Sequence, residues 1–126
     1  MGKIMLIAAY ALAVLLNLFV IVIGARFLLV PQAAAAGYGV PAKKDGDAAY
    51  LTVKGSRDLT YGILGLALLA FAGVRAEAWY MLVVALVPLG DTLIVLRNGG
   101  TRAAAFGIHF ATAVVVLIGA ALLFAV

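Results

Sequence analysis

The sequence predicts an all-α integral membrane protein, a four-transmembrane-helix bundle with one long loop. Three observations predict it. The 126 residues are 67% hydrophobic and only 11% charged, with a mean hydropathy of +1.24, more apolar surface than so short a chain can bury in water. Four apolar stretches, each near the ~20 residues that cross a bilayer, follow one another at about 4–30, 58–74, 78–96 and 103–126. Between the first two lies the one long connection, 31–56. The bilayer thus accounts for residues 1–126 as a single domain.

The net charge of +4 and sequence pI near 9.7 belong with residues that flank membrane helices. No basic, aromatic-interleaved surface suited to phosphates is present, so nucleic acid is not an expected partner. Cysteine is absent, which excludes disulfides and thiolate chemistry.

The first segment opens after Lys3 and ends at Pro31. Its apolar run is far longer than the ~7–15 residues of a signal peptide, so it is expected to be retained as a helix. Asn17, the polar residue near its middle, should bond a neighbouring helix or its own backbone. In the connection, Pro31 suits the first turn of a short helix through Ala33–Ala36 that Gly37 would end. Lys43–Lys44–Asp45–Gly46–Asp47 marks a solvated tip, and Tyr38 and Tyr50 suit the headgroup level. A connection of this length suits a lid or binding loop, or equally a floppy surface loop.

Asp58 or Ser56 can cap the second segment, whose Gly62 and Gly65 allow close approach by another helix or a bound molecule. Arg75–Ala76–Glu77 is expected as a tight turn, and Pro88 as a kink that frees a carbonyl near Asp91. In the fourth segment, Ala103, Gly107 and Ala111 form a small-residue face for helix packing. Lys43, Lys44, Lys54, Arg97 and Arg102 flank two loops, against Lys3 and Arg75 on the other side. That bias puts loops 31–56 and 97–102 in the cytoplasm and both termini outside a plasma or inner membrane.

The few ionisable residues fall at corresponding helix ends. Arg26 closes the first segment, Arg57 and Asp58 open the second, Asp91 closes the third, and His109 lies early in the fourth. Asp91 and His109 should lie roughly 10 Å inside their shared turn. Seven-residue spacing puts Arg102 and His109 on one face, continued by Thr112, and three-residue spacing pairs Asp58 with Tyr61. Asn17 points elsewhere, half a turn from Arg26.

Two readings of this cluster stay open. Arg26 and Arg57 can pair with Asp58 and Asp91 as a structural clamp, since buried charges must be matched. Alternatively, Asp91 orients His109, an imidazole suited to proton transfer near neutrality. Arg26 or Arg57 then holds an oxyanion or carboxylate, and Tyr61 supplies a neutral donor. Such a set suits isomerisation, hydrolysis or cofactor-free oxygenation. A single histidine with scattered aspartates does not make a typical zinc site, although one axial histidine is compatible with haem. No nucleotide loop or nucleophile elbow is present.

The same residues carry a family resemblance. Gly24–Ala25–Arg26–Phe27–Leu28–Leu29–Val30–Pro31, Val53–Lys54–Gly55–Ser56–Arg57–Asp58–Leu59, Pro88–Leu89–Gly90–Asp91 and His109 occur in order. With these blocks the chain resembles the small four-helix membrane proteins catalogued as domain of unknown function 4267. The resemblance implies a membrane bundle that gathers those polar positions, and no activity. A looser similarity in layout to DoxX-like and anthrone-oxygenase-like membrane proteins points toward quinone-like or polyketide-like molecules.

Three functions fit. The first is binding of a small apolar molecule (lipid-like, quinone-like or polyketide-like) with an anionic or carbonyl head, with proton transfer open to the same residues. The second is a structural or partner-binding membrane subunit, clamped by its ion pairs. The third, a small-solute transporter, requires a homo-oligomer because the chain shows no internal repeat.

Overall fold

The first apolar run forms one helix, α1 (Gly2–Leu29), in the computed structural model, which describes residues 1–126. Val30 is extended at φ −136° and ψ 64°, because the proline after it disfavours helical backbone. Pro31 then starts α2 (Pro31–Tyr38), where its missing N–H costs nothing. Gly37 stays helical, and α2 ends two residues later than expected, at Gly39 in a left-handed conformation with φ 101°. A Cβ at Gly39 would also lie 3.1 Å from that of Ala104 and 3.3 Å from Val95 Cγ1. Gly39→Ala should therefore destabilise the fold by about 1–2 kcal/mol, read as a lower thermal midpoint in detergent.

Helix α3 (Ala48–Ala67) begins ten residues before the expected start and continues through a π turn, Leu68–Ala72. The connection 31–56 is thus largely helical, and only residues 39–47 lie outside helices. Residues 48–56 contain no proline and one glycine, so nothing interrupts propagation. Asp47 N-caps α3 without a side-chain bond, its Oδ2 accepting instead from the Lys43 amide at 2.6 Å. Ser56 and Asp58 lie in the helix interior and cap nothing.

Gly73, at φ 100°, makes the turn into α4 (Val74–Arg97), so Arg75, Ala76 and Glu77 belong to the helix instead of a turn. α4 is interrupted at Ala85. Pro88 offers no N–H to the Val84 carbonyl four residues earlier. That carbonyl lies ~10 Å along the axis from Asp91, too far to serve the acid as expected. Thr101 caps α5 (Arg102–Ala125), its Oγ1 accepting from the Ala104 amide at 3.0 Å. A π turn, Ala105–Phe110, lies within α5. It breaks the simple seven-residue register: Arg102 is exposed while His109 is buried. The Ala103–Gly107–Ala111 face turns outward, and nothing lies within 4 Å of a Cβ at Gly107.

The chain is entirely helical, with no strand. α1, α4 and α5 are long and apolar enough to cross a membrane, and the protein is an integral membrane protein. α3 with its π turn has comparable length but carries Lys54, Arg57 and Asp58. The packing agrees with a lipid solvent. Phe71, Leu29 and Ile4 are 91%, 80% and 75% exposed, whereas the buried set is mainly alanine, glycine and polar side chains. In lipid, close packing of small residues and interhelical hydrogen bonds hold helices together.

α1 and α3 run antiparallel: Gly24 meets Gly55 and Leu59, while Asn17 meets Gly62 and Gly65. Ala9 and Ala13 of α1, Ala78 and Met81 of α4, and Val116 and Ala120 of α5 form the main apolar core. Trp79 and Phe124 close the far end edge-to-face, with ring centroids 5.0 Å apart. α2 packs against α1 and α3.

Candidate functional site

The four long helices leave a cavity of about 280 Å³ between them, and α2 closes one end. Leu16, Val20, Ile23, Met81, Val84 and Val116 give it apolar walls. Arg26, Tyr38, Asp58, Tyr61, Asp91, His109 and Thr112 also line it. Asn17, expected to point elsewhere, lines it too, ~13 Å from Arg26 along α1.

Tyr38 joins the polar end. Its hydroxyl donates to Asp91 Oδ2, and its main-chain carbonyl accepts from His109 Nε2 at 2.7 Å. A carbonyl can only accept, so Nε2 carries a proton, and in the neutral ring Nδ1 is the acceptor. The Tyr38 ring lies 4.2 Å from the His109 ring and meets Phe27 edge-to-face at 5.5 Å. Tyr38 therefore faces inward and does not act as the expected headgroup anchor. Gly39 at the end of α2 permits this, because its left-handed turn stops the helix with Tyr38 over the cavity.

Burial, reinforced by the charge of Asp91, raises the Tyr38 phenol well above its usual range. A folded-state pKa raised above the unfolded value stabilises fully below the unfolded pKa, and this contribution is lost as pH rises through the folded one. Docking of α2 through Tyr38 should therefore hold from neutral pH to about 10 and weaken only above it. Hydrogen exchange of the α2 amides, corrected for intrinsic rates, should show that plateau.

Lys54 is the cation beside this end. Its Nζ lies 2.5 Å from Asp58 Oδ2 and sits over the rings of Tyr38 and Phe27, at 4.2 and 4.5 Å. This i,i+4 pair within α3 is the chain's one salt bridge, so neither Arg26 nor Arg57 pairs with an aspartate. The expected interhelical clamp is not formed. Arg26 and Arg57 are both exposed, but Arg26 lines the cavity, with no acidic partner, and Arg57 does not. Thr112 lies one turn beyond His109 and bonds back to the Ile108 carbonyl at 2.6 Å. Tyr61 lends its carbonyl to the Tyr80 hydroxyl at 2.6 Å. No three His, Cys, Asp or Glu side chains come together, and axial ligation of haem by His109 Nε2 would require breaking its bond to Tyr38.

A second polar pair lies deeper. Asn17 Nδ2 donates to Glu77 Oε1 and to the Ala13 carbonyl, both at 2.9 Å, so it bonds a neighbouring helix and its own backbone alike. Glu77 is fully buried, and its Oε2 has no partner. Glu77→Gln keeps an acceptor for Asn17 and should change stability by less than about 1 kcal/mol. Glu77→Leu strands one Asn17 donor and should cost about 1–3 kcal/mol. Unfolding midpoints in mixed micelles distinguish the two.

A family model described as Domain of unknown function (DUF4267) matches residues 17–123. The chain belongs to this family. No curated protein and no solved structure matches it, and the looser likeness to DoxX-like proteins gains no support. The DUF4267 match starts at Asn17 and ends at the core residue Leu123, so it takes in every polar cavity residue named above. The DUF4267 description carries no activity, and chemistry must be argued from the cavity.

Sequence reasoning missed Tyr38, Lys54 and Glu77 as inward-facing groups. The four-residue spacing of Lys54 and Asp58 was a usable signal for their pairing. Glu77, beside Trp79 and Tyr80, has the sequence setting of an interfacial residue, and nothing local marks its burial.

Proposed function

We propose that the protein crosses the bilayer four times, with α3 and its π turn as the fourth span and α2 as a lid. We propose further that it binds a small apolar molecule with an anionic or carbonyl head. The excess of basic residues beside loops 39–47 and 98–101 supports a cytoplasmic location for the lid end. The observation that carries the reading is that Arg26, without an acidic partner, and His109 line the same apolar-walled cavity. The arginine supplies a cation for the head, and Nδ1 can take the proton of a head that arrives as its neutral acid. The apolar walls take the body of the molecule. The clamp reading lacks the arginine–aspartate pairs it requires.

Native mass spectrometry of the purified protein with oleic acid as the probe tests this. The wild type should retain the acid. Arg26→Ala should keep the wild-type thermal midpoint within a few degrees, and Arg26→Ala and His109→Ala should each lose affinity by about tenfold or more. Equal retention by all three proteins, or none by the wild type, would reject the reading.

A further inference from the structure

We infer that the ligand reaches the cavity sideways from the bilayer, between α1 and α5 at Phe19 and Gly107, and is a single-chain amphiphile whose tail remains in that gap. This rests on the binding role proposed above. It adds the route and the class of ligand.

The gap begins as a shallow groove on the outer surface, and four of its lining residues, Leu16, Phe19, Ile108 and Thr112, also line the cavity. Groove and cavity are therefore neighbours across one layer of side chains. Phe19 and Ile108 are 47% and 43% exposed, so they face both the lipid side and the interior. α1 and α5 touch farther along: a Cβ at Gly119 would lie 3.5 Å from both Leu12 Cδ2 and Leu16 Cδ1. Toward Gly107 nothing lies within 4 Å of such a Cβ.

The separation coincides with the π turn Ala105–Phe110, whose wider coil carries His109 inward and leaves Gly107 without a side chain at the groove. The opposite approach is obstructed. Tyr38 lies across the polar end, tied to Asp91 and His109 and covered by Lys54. An aqueous solute meets that lid, whereas an amphiphile already in the bilayer meets apolar side chains and Thr112, whose hydroxyl is already bonded to the Ile108 carbonyl. Its head can then stop at Arg26 and His109, the cation without an acidic partner and the imidazole among the polar groups of the cavity. The groove is a slot between two helices, a shape that admits one hydrocarbon chain.

A palmitic acid analogue with a diazirine in its chain, incorporated into phosphatidylcholine liposomes with the full-length protein, tests the route. Photolabelled peptides are quantified by mass spectrometry after short exposures. In the wild type, label should appear at the interior positions Ile23 and Val84 as well as at Phe19 and Ile108. Gly107→Trp fills the gap and should slow interior labelling by about tenfold or more, while Ile118→Trp, on the outer face of the same helix, should leave it unchanged. Phe19→Ala should speed interior labelling, and it carries the test alone should Gly107→Trp fail to fold. Undiminished interior labelling in Gly107→Trp, or no acceleration in Phe19→Ala where that variant stands alone, overturns the lateral route and leaves the binding role standing. An equal loss in Ile118→Trp also overturns the route. No interior label even in the wild type overturns the binding role, and the route with it.

Discussion

Tyr38→Ala should release α2 from the end of the bundle while the long helices stay packed. The substitution removes a hydroxyl from Asp91, an aromatic surface from His109, Phe27 and Lys54, and the firm seat of the carbonyl that holds His109 Nε2. Loss of a buried aromatic ring typically costs about 3–5 kcal/mol. Here the cost falls on an eight-residue helix, which opens locally at lower cost than the whole bundle. Hydrogen exchange should show α2 amides losing protection by two or more orders of magnitude, with α4 and α5 near wild type. Tyr38→Phe keeps the ring and deletes only the bond to Asp91, so its effect should be smaller, about 1–3 kcal/mol. Uniform loss of protection along all helices would mean that Tyr38 supports the whole fold instead of the lid.

Gly24→Leu should have the largest effect on the fold itself. A Cβ at Gly24 would lie 2.5 Å from the Leu59 amide nitrogen and 2.7 Å from the Gly55 carbonyl oxygen. Both obstacles are backbone, so no rotamer change relieves them, and α1 must move away from α3. Overpacking costs about 1–3 kcal/mol even where side chains can adjust, so Gly24→Leu should exceed about 3 kcal/mol. Gly24→Ala meets the same contacts and should follow in the same direction. Gly90→Ala, in the interior of α4 with nothing within 4 Å, is the control. It should leave stability unchanged or raise it by up to ~1 kcal/mol through helix propensity. Opposite signs for two Gly→Ala changes in micelle unfolding would show that helix proximity decides the outcome, not glycine content.

The solvent of this protein and much of its helix plan were legible in the sequence. Apolar length alone marked α1, α4 and α5, and Pro31 marked the start of α2. The glycines at 62 and 65 marked a close approach by a helix or a bound molecule, and the structure places α1 there. Azimuth was harder to read. The π turn at Ala105–Phe110 has no residue signature, yet it separates Arg102 from His109 and turns Gly107 outward. The early start of α3 escaped because Asp58 looks like a cap, although nothing before it stops a helix. Tyr38 and Glu77 have the sequence context of interfacial residues. Their burial comes from the approach of other helices, which no local pattern records. Arg57 shows the converse, a charged residue expected inside that the α3 surface leaves exposed.

The most direct test of the central claim is an experimental density map of the protein purified in native lipid nanodiscs. The account predicts an elongated feature in the cavity, with its polar end between Arg26 and His109 Nδ1 and its tail running toward Phe19 and Gly107. A cavity empty of such density, with Arg26 turned inward to pair with Asp58 or Asp91, would contradict the account and return these charges to the role of a structural clamp.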